Sequence, residues 1–298
     1  FPPPPPQPPI SACLVGSEMC IRDSDKTIQI QGKLIDFNVP KLMGVLNLTP
    51  DSFYDGGKFE DKKAASAQVQ KMLDEGADFI DVGAMSSRPG SNLLSAEQEL
   101  ERLLPVLEYL LEYFPSKHFS VDTFYSRVAQ KVLAMGVPMI NDISCGNADP
   151  EILPVVSEFD ATYVMMHMQG MPQNMQNNPT YENTVQDILY FFSKKISEAN
   201  EAGINNLIID PGFGFGKTID HNYEILSHLD VFKTLELPIL VGLSRKSMIY
   251  KPLSITPKQA LNGTSVLHTK ALLQGANILR VHDVKAAKEC IDLVALMQ

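Results

Sequence analysis

An α/β fold closed as a single (β/α)8 TIM barrel is what this 298-residue sequence predicts, on three observations. From Asp25 onward, short apolar runs alternate with amphipathic stretches about eight times, the pattern of a parallel sheet with helical crossovers. The number of units and the length suit closure into a barrel, with a doubly wound open sheet as the alternative. Gly76, Gly136, Gly203 and Gly275 each follow a helix-like stretch, where a C-terminal cap needs a left-handed residue. Finally, nearly every predicted strand ends in polar residues, where a barrel carries its chemistry.

In chain order, Ile28-Gln29-Ile30 and Lys33-Leu34-Ile35 open the fold as short strands. The barrel runs follow at 42–48, 79–84, 119–123, 139–144, 162–167, 207–210, 239–243 and 278–282. Between them lie helix-like stretches such as 62–75, 96–113, 125–135, 185–202 and 258–274. There is no internal repeat and no linker, so 25–298 reads as one domain.

The chain has 25 Lys+Arg against 35 Asp+Glu, a formal charge of −10, and no basic block. Nucleic acid and anionic membrane surfaces are therefore poor partners. No apolar run is long enough to span a bilayer. The four cysteines, Cys13, Cys20, Cys145 and Cys290, lack paired spacing, which argues against a disulfide framework or zinc site and for a reducing cytoplasm. Residues 1–24 hold a proline tract and no usable periodicity. They lack the charge order of a signal peptide. A Pro-rich ligand segment is one reading; an appended, non-native tail is the one adopted.

The first barrel run ends at Asn47 and enters a loop rich in chemistry: Asp51, Phe53, Tyr54 and Asp55, between the breakers Thr49-Pro50 and Gly56-Gly57. Such a loop is expected to close over a ligand. The second run leads to Ser86-Ser87-Arg88-Pro89-Gly90, and the third and fourth end in Asp122-Thr123 and Asn141-Asp142. His167, Asp210, Ser244-Arg245-Lys246-Ser247 and Arg280-Val281-His282-Asp283 complete the set. Singly, each has a structural role open to it, such as a helix cap, a turn or a solvated charge. Gathered at one end of a barrel, they argue for a site, because buried polar groups are costly without a purpose.

Residues two apart share a strand face. Arg280 and His282 thus point together, a pair suited to an anion such as phosphate. Asp210 lies above Ile208, and a carboxylate there suits an amino-substituted heterocycle, as do Asp122 and Asn141. Met165 and Phe215 supply flat apolar walls for such a ring, or alternatively core. Met165 shares its face with His167, which ranks below His282 as a ligand. Pro211 to Lys217 misses the P-loop spacing, so its glycines are read as letting backbone pass near a ring, with Lys217 at the rim. A Schiff base at Lys246 fits less well beside Arg245 than a binding role.

Together these residues resemble dihydropteroate synthase, in motifs running from about Lys41 to Val284: Met43-Gly-Val-Leu-Asn47-Leu-Thr-Pro-Asp51-Ser-Phe53-Tyr-Asp55-Gly-Gly57, Ser87-Arg88-Pro89-Gly90, Ser120-Val-Asp122-Thr123, Ile140-Asn141-Asp142-Ile143, Asp210-Pro-Gly-Phe-Gly-Phe215-Gly-Lys217, Ser244-Arg-Lys246-Ser247 and Arg280-Val-His282-Asp283. The resemblance implies a transferase that condenses a dihydropterin CH2-pyrophosphate with p-aminobenzoate for folate synthesis. It implies that Asp122, Asn141, Asp210 and Lys246 hold the pterin edge, with Met165 and Phe215 on its faces. It also implies that Asn47 and Asp55 hold Mg2+ on the pyrophosphate, that Arg88, Arg280 and His282 bind its oxygens, and that Phe53, Ser87, Pro89 and Ser247 shape the p-aminobenzoate pocket. A homodimer is implied as well. One departure stands out: Met85-Ser86-Ser87 replaces the family's Glu-Ser-Thr, which bears on the p-aminobenzoate pocket and on sulfonamide response. The competing readings are a pterin-binding methyltransferase barrel and a non-catalytic pterin-binding protein. The first has no need of the Thr49-Pro50-Asp51 loop, and the second no need of Asn47, Arg280 and His282 together.

Overall fold

The computed structural model describes residues 27–48, 59–85 and 93–297. A hairpin, β1 (Thr27–Ile30) and β2 (Lys33–Asp36), pairs antiparallel and precedes the barrel. The barrel strands are β3 (Lys41–Asn47), β4 (Phe79–Gly83), β5 (Phe119–Asp122), β6 (Met139–Asp142), β7 (Thr162–Met166), β8 (Leu207–Asp210), β9 (Leu240–Val241) and β10 (Ile278–Val281). They pair parallel in the order β8-β7-β6-β5-β4-β3-β10-β9. A parallel bridge between Ile209 and Ile239 joins the two ends of that order, so the sheet closes. The barrel is the expected one, and the open sheet is excluded.

The helices are α1 (Phe59–Asp74), α2 (Ala96–Tyr113), α3 (Ser126–Ala134), α4 (Ile152–Glu158), α5 (Thr184–Glu201), α6 (Ile219–Ser227), α7 (Ser247–Tyr250), α8 (Leu261–Leu273) and α9 (Val284–Ala295). Ser95 and Gln98 cap α2 reciprocally, side chain to backbone in both directions, which satisfies two otherwise orphan donors. Gly76, Gly136, Gly203 and Gly275 stop α1, α3, α5 and α8 with φ of 101°, 92°, 88° and 98°, a conformation open to glycine without steric cost.

Alternation along the strands divides the core into two layers. Leu42, Ile80, Val121, Ile140, Tyr163, Ile209 and Leu279 point outward and pack under the helices. Met43, Phe79, Met139, Val164, Ile208, Leu240 and Ile278 point inward and fill the barrel floor, which Ile28 and Ile30 of the hairpin and Phe37 cover from below. Apart from β5, whose inward residues are Ser120 and Asp122, both faces of these strands are mainly apolar, as a parallel sheet requires. Above the floor, the inward positions turn polar.

Candidate active site

Four of these polar positions come from alternate strands: Asp210 (β8), Asn141 (β6), Asp81 (β4) and Arg280 (β10), the way a barrel interior is layered. Arg280 Nε donates to Asp81 Oδ2 at 2.6 Å, and its Nη2 donates to Asp122 Oδ2 at 2.9 Å. Asn141 Nδ2 donates to the same Asp81 oxygen at 2.9 Å. Asp81 escaped the sequence reading because it lies inside the apolar run Phe79-Ile80-Asp81-Val82-Gly83, not at its end. A carboxylate in a buried strand was the available signal, since such a group needs a partner.

The electrostatics follow from this crowding. Burial, against the pull of Arg280 and with the push of Asp81, raises the Asp122 carboxyl to about 7. Asp210 is also raised by burial, with Lys246 and the Gly212 N–H (2.8 Å) opposing. For Arg280, burial is outweighed by Asp81 and Asp122, which hold its pKa above the usual range. Burial lowers Lys246 to about 8, with Asp210 opposing and Arg280 adding to the shift.

Lys246 caps the start of α7, donates to the Phe213 carbonyl and lies 4.6 Å from the centre of the Phe215 ring. Arg245 beside it has φ +56° and grips Asp283 with Nε and Nη2, both at 2.8 Å. That grip ties the end of β9 to the end of β10 and leaves Lys246 for the mouth. Ser247 follows as a half-buried residue in the first turn of α7. His282 is exposed, with Nδ1 3.1 Å from Ser244 Oγ. Desolvation and the Arg280 charge lower it to about 4 in the absence of an anion. Asn47 is half-buried, its Oδ1 facing Gly83 at the end of β4, across from Asp122.

Two expectations are corrected. Met165 does not wall a ring pocket. It faces outward, fully buried in the core beneath the helices, while Met166 faces inward beside Asp210 and clusters with Phe124, Ile143 and the half-buried Phe215. Lys217 is not at the rim. It is 3% exposed, and its Nζ meets His167 Nδ1 (2.9 Å) and the carbonyls of His167 (3.1 Å), Gly212 (2.9 Å) and Phe215 (2.9 Å). His167 is correspondingly structural, lowered to about 2 by burial and the Lys217 charge. Lys217 therefore locks the turn that carries Asp210 and Phe215 onto the end of β7. Asp142, next to Asn141, turns outward to accept from Tyr163 Oη at 2.6 Å and from the N–H groups of Ser144 and Gly146. The expected ligands Phe53, Asp55, Ser87, Arg88 and Pro89, and the closing loop itself, lie outside the described residues.

The chain matches the family described as pterin binding enzyme over residues 43–282. The dihydropteroate synthase of Haemophilus influenzae is 43% identical over 261 residues, 87% of this chain and 94% of that protein. The family is thereby decided. The chain belongs to the dihydropteroate synthases, among the pterin-binding enzymes. The Escherichia coli member is 41% identical over 266 residues, covering 89% of this chain and 94% of that one. Among solved structures, the Yersinia pestis dihydropteroate synthase in complex with a sulfonamide drug superposes with a TM-score of 0.85 at 41% identity, covering 91% of this chain and 98% of that one. The Xanthomonas albilineans enzyme with 4-aminobenzoic acid gives 0.83 at 36% identity with the same coverage.

Proposed function

We infer that the chain is a transferase that condenses a dihydropterin CH2-pyrophosphate with p-aminobenzoate, giving dihydropteroate and pyrophosphate for folate synthesis. The observation that supports this is the barrel mouth itself, where Asp122, Asn141, Asp210 and Lys246 gather with Arg280 and His282, and Arg280 reaches Asp122 at 2.9 Å. Asp122, Asn141, Asp210 and Lys246 suit a pterin edge, with Phe215 and Met166 against the ring. Arg280 and His282 suit the pyrophosphate.

As the C–O bond to pyrophosphate breaks, positive charge develops on a methylene conjugated with the ring. The carboxylates of Asp122 and Asp210 oppose that charge, while Arg280 and His282 hold the departing oxygens. Each fixed contact of this kind typically lowers a barrier by about 3 kcal/mol. The amine nitrogen then forms the new C–N bond and releases its proton, and no covalent enzyme intermediate is needed. Asn47, Asp55, Phe53, Ser87, Pro89, Arg88 and Ser247 keep the roles that the resemblance implies. An oxygen donor at Asn47 beside the leaving group fits Mg2+, which takes one or two protein oxygens plus substrate phosphates. Asn47 and Asp55 would hold the ion, and when bound it would neutralise pyrophosphate charge.

A homodimer is proposed too, supported by apolar side chains left in solvent on α8 and α9, such as Val266 at 60% and Leu293 at 61% exposure. So is a cytoplasmic setting, supported by the free, buried thiols of Cys145 and Cys290. No helix among the described residues is long and apolar enough to cross a membrane.

The test supplies dihydropterin pyrophosphate, p-aminobenzoate and Mg2+ and looks for dihydropteroate and pyrophosphate. Lys246→Ala and Asp210→Ala are expected to lose most of the turnover. Folded wild-type protein that forms no product would leave only the reading of a non-catalytic pterin-binding protein.

A further inference from the structure

Asp81 is 0% exposed, in mid-strand, above a largely apolar barrel floor. A buried carboxylate is retained only where partners offset its desolvation, and both of its partners are groups assigned above to substrate. Its Oδ2 takes Arg280 Nε at 2.6 Å and Asn141 Nδ2 at 2.9 Å, while Oδ1 is buried with no hydrogen-bond partner among the described residues.

This fixes two things. The oxygen facing Asn141 already accepts from the Arg280 guanidinium, which has no lone pair to offer, so it serves as an acceptor. The Asn141 atom against it must therefore be the NH2 group. The side-chain carbonyl Oδ1 of Asn141, which accepts no hydrogen bond among the described residues, is left for the ligand. Arg280 likewise has Nε on Asp81 and Nη2 on Asp122, and its Nη1 has no hydrogen bond among the described residues. The planar fork is thereby set in rotation.

We propose that Asp81 is a positioning residue that orients both ends of the substrate site through one oxygen: it turns the Asn141 amide so that its carbonyl meets a ring N–H, and it aims Arg280 at the leaving pyrophosphate. Asp81 touches no substrate. Ring recognition and leaving-group recognition are coupled through it, and a ring presenting an acceptor where the dihydropterin presents N–H is rejected because Asn141 cannot turn over. This rests on the pterin and pyrophosphate reading given above.

The test is Asp81→Asn, which keeps the shape but removes the charge and lets the Asn141 amide reverse. KM for dihydropterin pyrophosphate is expected to rise at least tenfold, with KM for p-aminobenzoate changing less than twofold. Calorimetry with two separate probes, 6-hydroxymethylpterin and inorganic pyrophosphate, is expected to show both weakened at least fivefold. Arg280→Lys, by contrast, should weaken pyrophosphate more than 6-hydroxymethylpterin. A merely structural Asp81 would lower the unfolding temperature and leave both affinities and the KM ratio as in wild type, and that result overturns the proposal. So does weakening of one probe only. Wild-type protein that binds neither probe overturns the functional reading instead. Should Asp81→Asn fail to fold, Asp81→Glu carries the same comparison: it keeps the charge but displaces the oxygen, and unchanged affinity for both probes again overturns the proposal.

Discussion

Replacing Lys217 with Met tests whether the Asp210–Lys217 turn is held from within. Met matches the length of the chain but offers no donor. Four acceptors surround the amine at 2.9–3.1 Å. The Gly212 carbonyl retains the Phe215 N–H at 3.1 Å, whereas the His167 and Phe215 carbonyls and His167 Nδ1 lose the only partner described for them. An abandoned buried acceptor costs about 1–3 kcal/mol. Against this stands relief from burying the amine, whose pKa burial already pushes well below the usual lysine range. The balance is a loss of about 3 kcal/mol, which in a domain of this size lowers the unfolding temperature by about 6–12 °C. The freed turn carries Asp210 and Phe215, so KM for dihydropterin pyrophosphate should rise several-fold while that for p-aminobenzoate changes little. Calorimetric unfolding and two-substrate kinetics read both effects. An unfolding temperature within 2 °C of wild type, with unaltered pterin KM, would refute the clamp.

Glu99 of α2 is fully buried, and burial, against a side-chain hydrogen bond with Thr123, raises it from 4.5 to about 8. A raised acid stabilises the fold while it stays protonated and loses that contribution as pH climbs from the unfolded pKa to the folded one. Glu99→Gln should therefore be nearly neutral at pH 5 and stabilising by a few kcal/mol at pH 9, at about 1.4 kcal/mol per pH unit across that window; equal unfolding temperatures at both pH values for the two proteins would contradict this. With Asp122 at about 7 and Lys246 at about 8, kcat/KM should rise as Asp122 loses its proton and fall as Lys246 loses its own. Asp122→Asn should remove the acid limb and leave the alkaline one, and a flat profile between pH 6 and 9 in wild type would count against both assignments. In Gly212→Ala, the new methyl would sit 1.9 Å from the His167 carbonyl oxygen at a φ of +72°, so soluble yield and activity should both collapse; near-normal activity would show that the turn can relax.

By itself the sequence determined the barrel, because the parallel strands and covering helices carry their own apolar periods, and four of the helices a terminal glycine. It also determined which residues crowd the mouth, because polar groups at the ends of apolar runs stand out one strand at a time. Faces were another matter. Val164, Met165 and Met166 are all buried, and in a strand buried on both sides alternation separates two sets without saying which faces the barrel axis; register with Asp210 decided for Met166. Lys217 misled for a related reason. A lysine after a glycine turn reads as solvated until three carbonyls and an imidazole, brought together by β7 and the turn after β8, are seen to surround it. Asp81 depended on closure most of all, since its partners lie 60 and 199 residues away. Local pattern is written along the chain, but the pairing of a buried charge exists only once the barrel has brought distant strands within hydrogen-bond distance.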